Sequence, residues 1–189
     1  MRRLLIIFFE FIAIPLWIAY KTSPKNIKDL IDEDILVMNE KKRSNNKSLL
    51  YWLAAFPSYR NIFYIRIPKI RYFSIILPRD STFLISSQQG IGGGCYVLSH
   101  PFSTIVNAKK IGKNFNVCQL TTVGNKMQGR NDLVPTIGDN VTLGANVTLI
   151  GEITIGNNVV IGAGSVVVKD IPDNCVVVGN PAHIIKRIS

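Results

Sequence analysis

Two residue types that build metal and redox sites are scarce in this 189-residue sequence. It has three cysteines, Cys95, Cys118 and Cys175, with no CxxC or other paired spacing, so we expect core or groove thiols in a reducing compartment. It has two histidines, His100 and His183, which excludes a three-histidine zinc site within one chain. We therefore expect no metal cofactor.

Acidic residues are also few. Twelve aspartates and glutamates face 22 lysines and arginines, and residues 1–85 carry a net charge of +7 against +3 for residues 86–189. A basic half with interleaved aromatic residues suits an anionic lipid surface or, less well, a nucleic acid. No nucleic-acid motif accompanies it, so we expect no nucleic-acid partner.

One long apolar run is present, from Leu4 to Tyr20, although Glu10 and Pro15 interrupt it. We expect residues 1–22 to form one apolar amphipathic helix, without the small-x-small cleavage site of a secretory signal. Four charged residues would share one sector of about 100° on this helix: Arg2, Arg3, Glu10 and Lys21. Such a narrow stripe favours a helix lying in the membrane interface. Packing between helices or subunits and a minimal-length membrane span are the alternatives.

Residues 23–82 carry the signals of a helical cap. NIKDLIDEDILVMNEKK has the apolar spacing of an amphipathic helix, and SLLYWLAAF predicts a short helix that Pro57 stops. The next stretch, SYRNIFYIRIPKIRYF, mixes aromatic and basic residues. Either its aromatic residues pack on the following domain and its basic side chains are solvated, or it forms a basic, aromatic surface beside a membrane.

From residue 137 onward an aliphatic residue recurs at every sixth position. The series is Ile137, Leu143, Leu149, Ile155, Ile161 and Val167. A second apolar or small residue follows four positions later, so both point inward from the same face of a short strand. Such a hexapeptide repeat predicts a parallel β-helix. The turns read GDN, GAN, GNN and GAG, residue types that tolerate the left-handed backbone of a tight corner.

Two segments carry a family resemblance: GGGCYVLSHPFSTIVN and IGDNVTLGANVTLIGEITIGNNVVIGAGSVVVKDIPDNCVVVGNPAHIIKR. They resemble left-handed β-helix acyltransferases, both serine acetyltransferases and the acetyltransferases of capsule and colanic-acid clusters. The resemblance covers roughly residues 90–187. It implies a mainly β fold, with a left-handed parallel β-helix over residues 83–189 and an α-helical amino-terminal region. It also implies a homotrimer and acetyl-CoA as co-substrate.

The resemblance makes His100 the expected catalytic base, because GGGCYVLSH is similar to the strand that delivers the histidine in serine acetyltransferases. Imidazole suits the role, since it is available near neutral pH to take a proton from an attacking hydroxyl. Two departures stand out. The residue before the histidine, an aspartate in the serine enzymes, is Ser99 here, and the position of their orienting carboxylate is Ile85.

Between Val123 and Ile137 the chain runs 14 residues where two hexapeptides would use 12, which predicts an extended loop. Serine acetyltransferases hold their amino acid there with an arginine and a second histidine, where this chain has Leu133 and Val134. A serine carboxylate would lose these partners unless a basic loop residue replaced them. The candidates for that replacement are Lys126 and Arg130. The departure favours a sugar hydroxyl as acceptor.

Small corner residues allow a pantetheine arm to approach backbone amides. The resemblance places Ala145 and Ala163 beside that arm, Lys169 near the phosphates and a basic tail at the 3′-phosphate. The tail offers His183, Lys186 and Arg187. Alternatively, the small residues only form corners and the tail is solvated.

The resulting prediction is an acetyl-CoA-dependent O-acetyltransferase of capsular or exopolysaccharide biosynthesis, acting on a small-molecule or lipid-linked saccharide. Serine O-acetylation, N-acetylation of an amino sugar and a non-catalytic trimeric membrane scaffold remain open. A γ-type carbonic anhydrase would share the fold, but the histidine count excludes its zinc site. We expect a cytoplasmic protein, peripheral at the inner face of the plasma membrane if residues 1–22 attach it.

Overall fold

A computed structural model describes residues 2–43, 47–97, 101–127, 129–130 and 132–188 of the chain. Within these ranges, helices come first and strands follow. The helices are α1 (Arg2–Ile12), α2 (Ile14–Thr22), α3 (Lys25–Lys41), α4 (Leu49–Ala55), α5 (Pro57–Arg66) and the 3₁₀ helix η1 (Pro68–Ile75). The strands are β1 (Phe83–Ser87), β2 (Thr104–Ala108), β3 (Lys110–Ile111), β4 (Asn116–Val117), β5 (Thr122–Gly124), β6 (Thr136–Ile137), β7 (Thr142–Leu143), β8 (Thr148–Ile150), β9 (Thr154–Ile155), β10 (Val160–Ile161), β11 (Val166–Val167), β12 (Cys175–Gly179) and β13 (Ala182–Arg187).

The strands stack into three parallel sheets, and the predicted left-handed parallel β-helix is confirmed. Sheet A has the order β1-β2-β5-β8-β11, sheet B has β3-β6-β9, and sheet C has β4-β7-β10-β12 with β13 antiparallel at its edge. The chain visits A, B and C in turn, so each coil has three strands and three corners. Leu149 pairs with Val167, 18 residues later, as three hexapeptides require.

Both apolar members of each repeat face the inside of the coils. The whole six-residue series from Ile137 to Val167 is buried. So are the residues four positions after its first five members: Val141, Val147, Ile153, Val159 and Ser165. Burial of this continuous apolar column holds neighbouring coils together.

An asparagine ladder runs along the corner between sheets B and C, the B–C corner. The side-chain amide of Asn114 donates to Asn140 at 2.8 Å, that of Asn140 to Asn158 at 2.8 Å, and that of Asn158 to Asn174 at 2.9 Å. All four residues have positive φ, which asparagine tolerates better than most residues. The ladder links successive coils and confirms the expected left-handed corner backbone.

The apolar amino-terminal stretch forms two helices, so the prediction of one helix over residues 1–22 is wrong. α1 ends at Ile12, α2 begins at Ile14, and the two are bent by 48°. Pro15 is the cause, because it lacks an amide hydrogen and its ring would clash with the carbonyl of Phe11 in a continuous helix. Among the described residues, no single helix is long and apolar enough to cross a bilayer, and α1 with α2 meets that criterion only as a bent pair.

A buried ion pair fastens the helices to the start of the β-helix. Arg66 of α5 donates to Asp34 of α3 through Nε at 2.7 Å and through Nη2 at 2.8 Å. Arg66 also donates to the carbonyls of Ile91 and Gly92, and the amide of Cys95 donates to Asp34 at 3.0 Å. Burial raises the pKa of the Asp34 carboxyl, whereas Arg66 and the Cys95 amide oppose that rise. One charge pair therefore joins α3, α5 and the segment that leads toward His100.

Arg60 is buried as well. Its Nε and Nη2 donate to the carbonyls of Leu53 and Ala54 at 2.6 and 2.9 Å, which satisfies two acceptors at the end of α4. The expectation of solvated basic residues in this stretch is therefore wrong for Arg60 and Arg66, because backbone carbonyls and one carboxylate bind them. Lys69 and Arg71, by contrast, are exposed.

Candidate functional site

The candidate site is the corner between sheets C and A, the C–A corner. The turns after β4, β7 and β10 stack there, at residues 118–121, 144–147 and 162–165. The Asn146 amide donates to the carbonyl of Gln119, and the Gly164 amide donates to the carbonyl of Ala145, both at 2.9 Å. The three turns thus form one column of backbone, and this column contains the predicted donor residues Ala145 and Ala163.

The amides of Ala145 and Ala163 are open. In the part of the chain that the structure describes, neither donates to another protein group. At the B–C corner the equivalent amides are occupied, because Asn157 accepts from the Asp139 amide at 2.8 Å and Asp173 accepts from the Asn157 amide at 2.7 Å. Alanine offers no such acceptor. The C–A corner therefore presents backbone donors to a ligand at the two levels where the B–C amides of Asp139 and Asn157 are already bonded.

The predicted base, His100, lies outside the described residues, together with the two residues before it. Its flanks are described. Tyr96 bridges to Asn116 of β4, and the carbonyl of Phe102 accepts the amide of Leu120 at 3.1 Å. The chain on both sides of His100 therefore adjoins the first level of the C–A corner column.

Two of the predicted phosphate contacts come together. Lys169 and His183 line one groove of about 110 Å³ near the carboxyl-terminal end of the coils. Lys186 and Arg187 do not join them, because β13 runs antiparallel to β12 and these two residues pair with its start, whereas His183 pairs near its end. All four side chains are exposed.

The predicted extended loop lies between β5 and β6. Val123 pairs with Leu149 in sheet A and Ile137 pairs with Ile155 in sheet B, so these 14 residues span one hexapeptide and not the two expected from the sequence. Arg130 donates to Asp132 from Nε at 2.9 Å and from Nη2 at 2.7 Å, and this exposed pairing lowers the pKa of Asp132 to about 2. Val134 is buried and Leu133 is half-buried. The valine at the place of the family's second histidine therefore faces the core, and the Arg130 guanidinium already has a carboxylate partner. Lys126 is exposed.

The position of the family's orienting carboxylate lies on sheet A. Ile85 pairs with Val106 of β2, and the hydroxyl of Ser86 donates to the side-chain oxygen of Asn107 at 3.2 Å. A groove of about 330 Å³ runs over these residues and reaches Arg79. This surface offers hydroxyl and amide groups where serine acetyltransferases offer a carboxylate.

The cysteines and the acidic residues do not build a metal site in the described ranges. All three cysteines are free, and burial raises the pKa of the Cys118 thiol. No group of three or more histidine, cysteine, aspartate or glutamate side chains among the described residues could hold a metal ion.

Sequence reasoning missed two features of the site and its support. The ion pair of Asp34 with Arg66 had a signal, because Asp34 stands at a buried helix position between Ile31 and Met38. The open amides also had a signal in the sequence. Three turns at the B–C corner have Asp139, Asn157 and Asp173 at the position where turns at the C–A corner have Ala145 and Ala163.

The comparisons with known proteins agree with this architecture. Residues 135–169 match the family described as bacterial transferase hexapeptide (six repeats). The chain is 41% identical over 93 residues to the Escherichia coli K12 protein named "Putative colanic acid biosynthesis acetyltransferase WcaB". That match covers 49% of this chain and 57% of the relative, so the chain spans little more than half the relative's length.

Two solved structures are similar over most of the chain. A serine acetyltransferase from Neisseria gonorrhoeae in complex with serine gives a TM-score of 0.69 at 26% identity, covering 91% of this chain and 74% of that one. A serine acetyltransferase from Brucella abortus strain S19 in complex with coenzyme A gives a TM-score of 0.59 at 20% identity. The match covers 86% of this chain and 68% of that one. The latter likeness shows the fold alone. Together these findings confirm the resemblance to hexapeptide-repeat acyltransferases of both named types.

Proposed function

We infer that this chain, a left-handed β-helix built of bacterial transferase hexapeptide repeats, transfers an acetyl group from acetyl-CoA to a hydroxyl group. The C–A corner carries the proposal. It presents two adjacent open amides, from Ala145 and Ala163, and it adjoins both flanks of the predicted base His100. A thioester arm lying along that column would bring its acetyl end toward the base.

The donor is held by backbone and by charge. The open amides suit the amide carbonyl oxygens of a pantetheine arm, since each free N–H needs an acceptor when a ligand displaces water. Lys169 and His183 share a groove and suit the phosphates. Lys186 and Arg187 add positive charge along the same strand pair for the 3′-phosphate. The 41%-identical relative is named an acetyltransferase, which supports an acetyl donor.

The reaction needs only a base and a positioned thioester. An imidazole nitrogen of His100 takes the acceptor's hydroxyl proton as its oxygen attacks the acetyl carbonyl carbon. The carbon–sulfur bond then breaks, and the proton passes to the leaving thiolate, which gives the acetyl ester and free coenzyme A. Holding both substrates at one corner supplies much of the rate by orientation.

The acceptor that fits best is a saccharide hydroxyl. The 41% identity to the colanic acid relative supports it, and so does the buried Val134 at the place of the second histidine. L-serine is the second candidate, because the Neisseria structure similar to 91% of this chain contains serine. Arg130 is an unfavourable partner for a serine carboxylate, since Asp132 already occupies its guanidinium.

The working assembly that we propose is a homotrimer at the cytoplasmic face of a membrane. Exposed apolar side chains on the outward faces of the strands, such as Leu84, Ile105 and Val160, suit contacts between subunits. The exposed apolar residues of α1 and α2 suit peripheral attachment, where a lipid-linked saccharide would be within reach.

Acceptor profiling tests the reaction. Purified protein is incubated with acetyl-CoA and, separately, with nucleotide sugars, oligosaccharide repeat units, L-serine and glucosamine, and mass spectrometry detects the added acetyl group. We expect acetylation of a saccharide hydroxyl. Transfer to serine alone would select the second candidate, and absence of both transfer and acetyl-CoA hydrolysis would indicate a scaffold.

The His100→Ala variant tests the base. It should remain folded and lose about 10²- to 10⁴-fold in kcat, the usual contribution of a positioned base. The chain's other histidine gives the contrast, because His183→Ala should raise the KM for acetyl-CoA and leave kcat largely unchanged. A loss below about threefold in kcat for His100→Ala would remove His100 from the mechanism.

A further inference from the structure

The segment of residues 68–79, which contains η1, exposes large apolar side chains at adjacent positions. Tyr72 is 70% exposed, Ile75 is 85% exposed and Ile76 is 60% exposed. Single exposed apolar residues are ordinary on protein surfaces, but a cluster of this kind marks a contact surface. A partner for this surface must have an environment that suits both isoleucine and tyrosine side chains.

Both ends of this segment adjoin the apolar amino-terminal helices. At its start, Pro68 and Ile70 line a groove with Ala19 of α2. At its end, Pro78 lines a second groove with Leu5 of α1. Both ends of the segment therefore lie beside the bent helix pair, which presents an exposed apolar surface of its own. The residues of that surface include Leu4, Leu5, Phe8, Phe11, Trp17 and Ile18.

Within the two segments that form this surface the charges are nearly all positive, although Asp32 of α3 borders it, where it accepts the Tyr20 hydroxyl at 2.7 Å. Residues 67–79 contain Lys69, Arg71 and Arg79 and no acidic residue, and Glu10 is the sole acidic residue of the sequence from 2 to 22. Two of the cations sit on aromatic rings of the surface. The ammonium of Lys21 lies 5.4 Å from the Trp17 and Tyr20 ring centres, and the guanidinium of Arg71 lies 5.1 Å from that of Tyr72.

Apolar side chains, ring-stacked cations and interfacial aromatic residues together match one partner. Acyl chains accept isoleucine and phenylalanine, the headgroup region accepts tyrosine and tryptophan, and anionic phosphates attract lysine and arginine. A protein partner would not require the positive border. We propose that residues 68–79 are a second lipid-contacting element, which docks on an anionic phospholipid bilayer beside α1 and α2. This inference extends the proposed membrane attachment and does not depend on acetyl transfer.

The test is vesicle co-sedimentation of the full chain. The variant Tyr72→Ser/Ile75→Ser/Ile76→Ser is compared with the control Leu36→Ser/Ile185→Ser, which removes two exposed apolar side chains elsewhere. Vesicles contain either phosphatidylcholine alone or equal parts of phosphatidylcholine and phosphatidylglycerol. The triple variant should bind the anionic vesicles at least about tenfold more weakly than the natural chain, because three apolar side chains no longer leave water. The control should bind like the natural chain.

A second variant, Lys69→Gln/Arg71→Gln, should reduce the preference for anionic over neutral vesicles. Light scattering after size exclusion identifies the competing partner, a second copy of this chain. A changed oligomeric state with unchanged vesicle binding in the triple variant would overturn the proposal. So would binding of the triple variant equal to that of the natural chain, or a natural chain that ignores anionic vesicles.

Discussion

One residue type decides which corner of the coil has backbone amides free for a ligand. Asn157 and Asp173 accept the amides of the preceding coil at the B–C corner, whereas Ala163, at the equivalent place of the C–A corner, leaves the amide of Ala145 open. Alanine lacks the side-chain oxygen of asparagine and aspartate. The backbone amide that faces it therefore has no hydrogen-bond acceptor in the next coil.

The variant Ala163→Asn should close this corner. Its side-chain oxygen would reach the Ala145 amide as Asn157 reaches that of Asp139, so the KM for acetyl-CoA should rise by roughly fivefold, the value of one hydrogen bond. Steady-state kinetics with varied acetyl-CoA measures this. The KM for the acceptor should stay constant, and a proportional rise in both constants would contradict the assignment.

The bulkier variant Ala163→Trp should act more strongly at the same place. An indole would fill the proposed pantetheine groove, so the KM for acetyl-CoA should rise far more than the KM of the acceptor. Ala163 is exposed, so the substitution disturbs no core packing. Equal effects on the two constants would place the arm elsewhere.

At the residue scale, sequence reasoning succeeded where a residue acts through its own chemistry. The inward series from Ile137 and the left-handed asparagines followed from the repeat alone. The role predicted for His100 needed a family likeness, because one histidine alone has no distinguishing pattern. The open amides were missed although Ala145 and Ala163 were their signal, because a missing hydrogen bond is recognised only when the corner residue of the next coil is compared as well.

At the scale of elements, the buried pair of Asp34 and Arg66 ties two helices to the β-helix. Asp34→Ala would leave the guanidinium buried and without its carboxylate, which should lower the free energy of unfolding by about 3–5 kcal/mol. Lys113 and Glu33 form a matched exposed pair between α3 and the coils, at 3.4 Å. Lys113→Met should therefore cost less than about 1 kcal/mol.

Urea denaturation of the two variants measures both values. Similar losses would mean that burial does not govern the strength of these pairs. A loss below about 1 kcal/mol for Asp34→Ala would mean that water reaches the Arg66 guanidinium when the carboxylate is removed.

The helical elements show where pattern reading fails. α3 followed from its apolar spacing, but the break at Ala13 did not, because counting a helical stripe from Arg2 to Lys21 assumed a helix that continues through Pro15. The prediction that the basic residues of α5 are solvated failed for a related reason. Arg60 binds carbonyls at the end of the preceding helix and Arg66 binds a carboxylate in α3, and composition alone reveals neither partner.

At the scale of the whole molecule, the amino-terminal helices and the chemistry should be separable. Deleting residues 1–21 should move the protein from the membrane fraction to the soluble fraction, while acetylation of a soluble acceptor analogue persists. Cell fractionation and the acetylation assay measure the two effects. Simultaneous loss of activity and trimer would show that α1 and α2 serve subunit packing.

Salt should weaken, but not abolish, binding of the full chain to anionic vesicles. Ions would screen the proposed phosphate contacts of Lys21, Lys69 and Arg71, whereas they would not screen burial of Phe8 and Phe11 in acyl chains. Co-sedimentation across a salt series measures how much vesicle binding remains at high salt. Complete release at high salt would mean that no apolar side chain enters the bilayer.

The strand pairing on either side of the 125–135 loop indicates that the β-helix tolerates insertions in that loop. Val123 and Leu149 are neighbours in sheet A although 26 residues separate them, while Leu149 and Val167 are neighbours at 18. The eight additional residues (26 − 18) belong to the loop and not to the coils, so the strand register is the same whatever the length of that loop. One residue added inside a coil would instead turn every later side chain to the opposite face. A peptide tag or a dye-labelling site placed after Met127 would therefore be carried at the surface, with the coils above and below undisturbed.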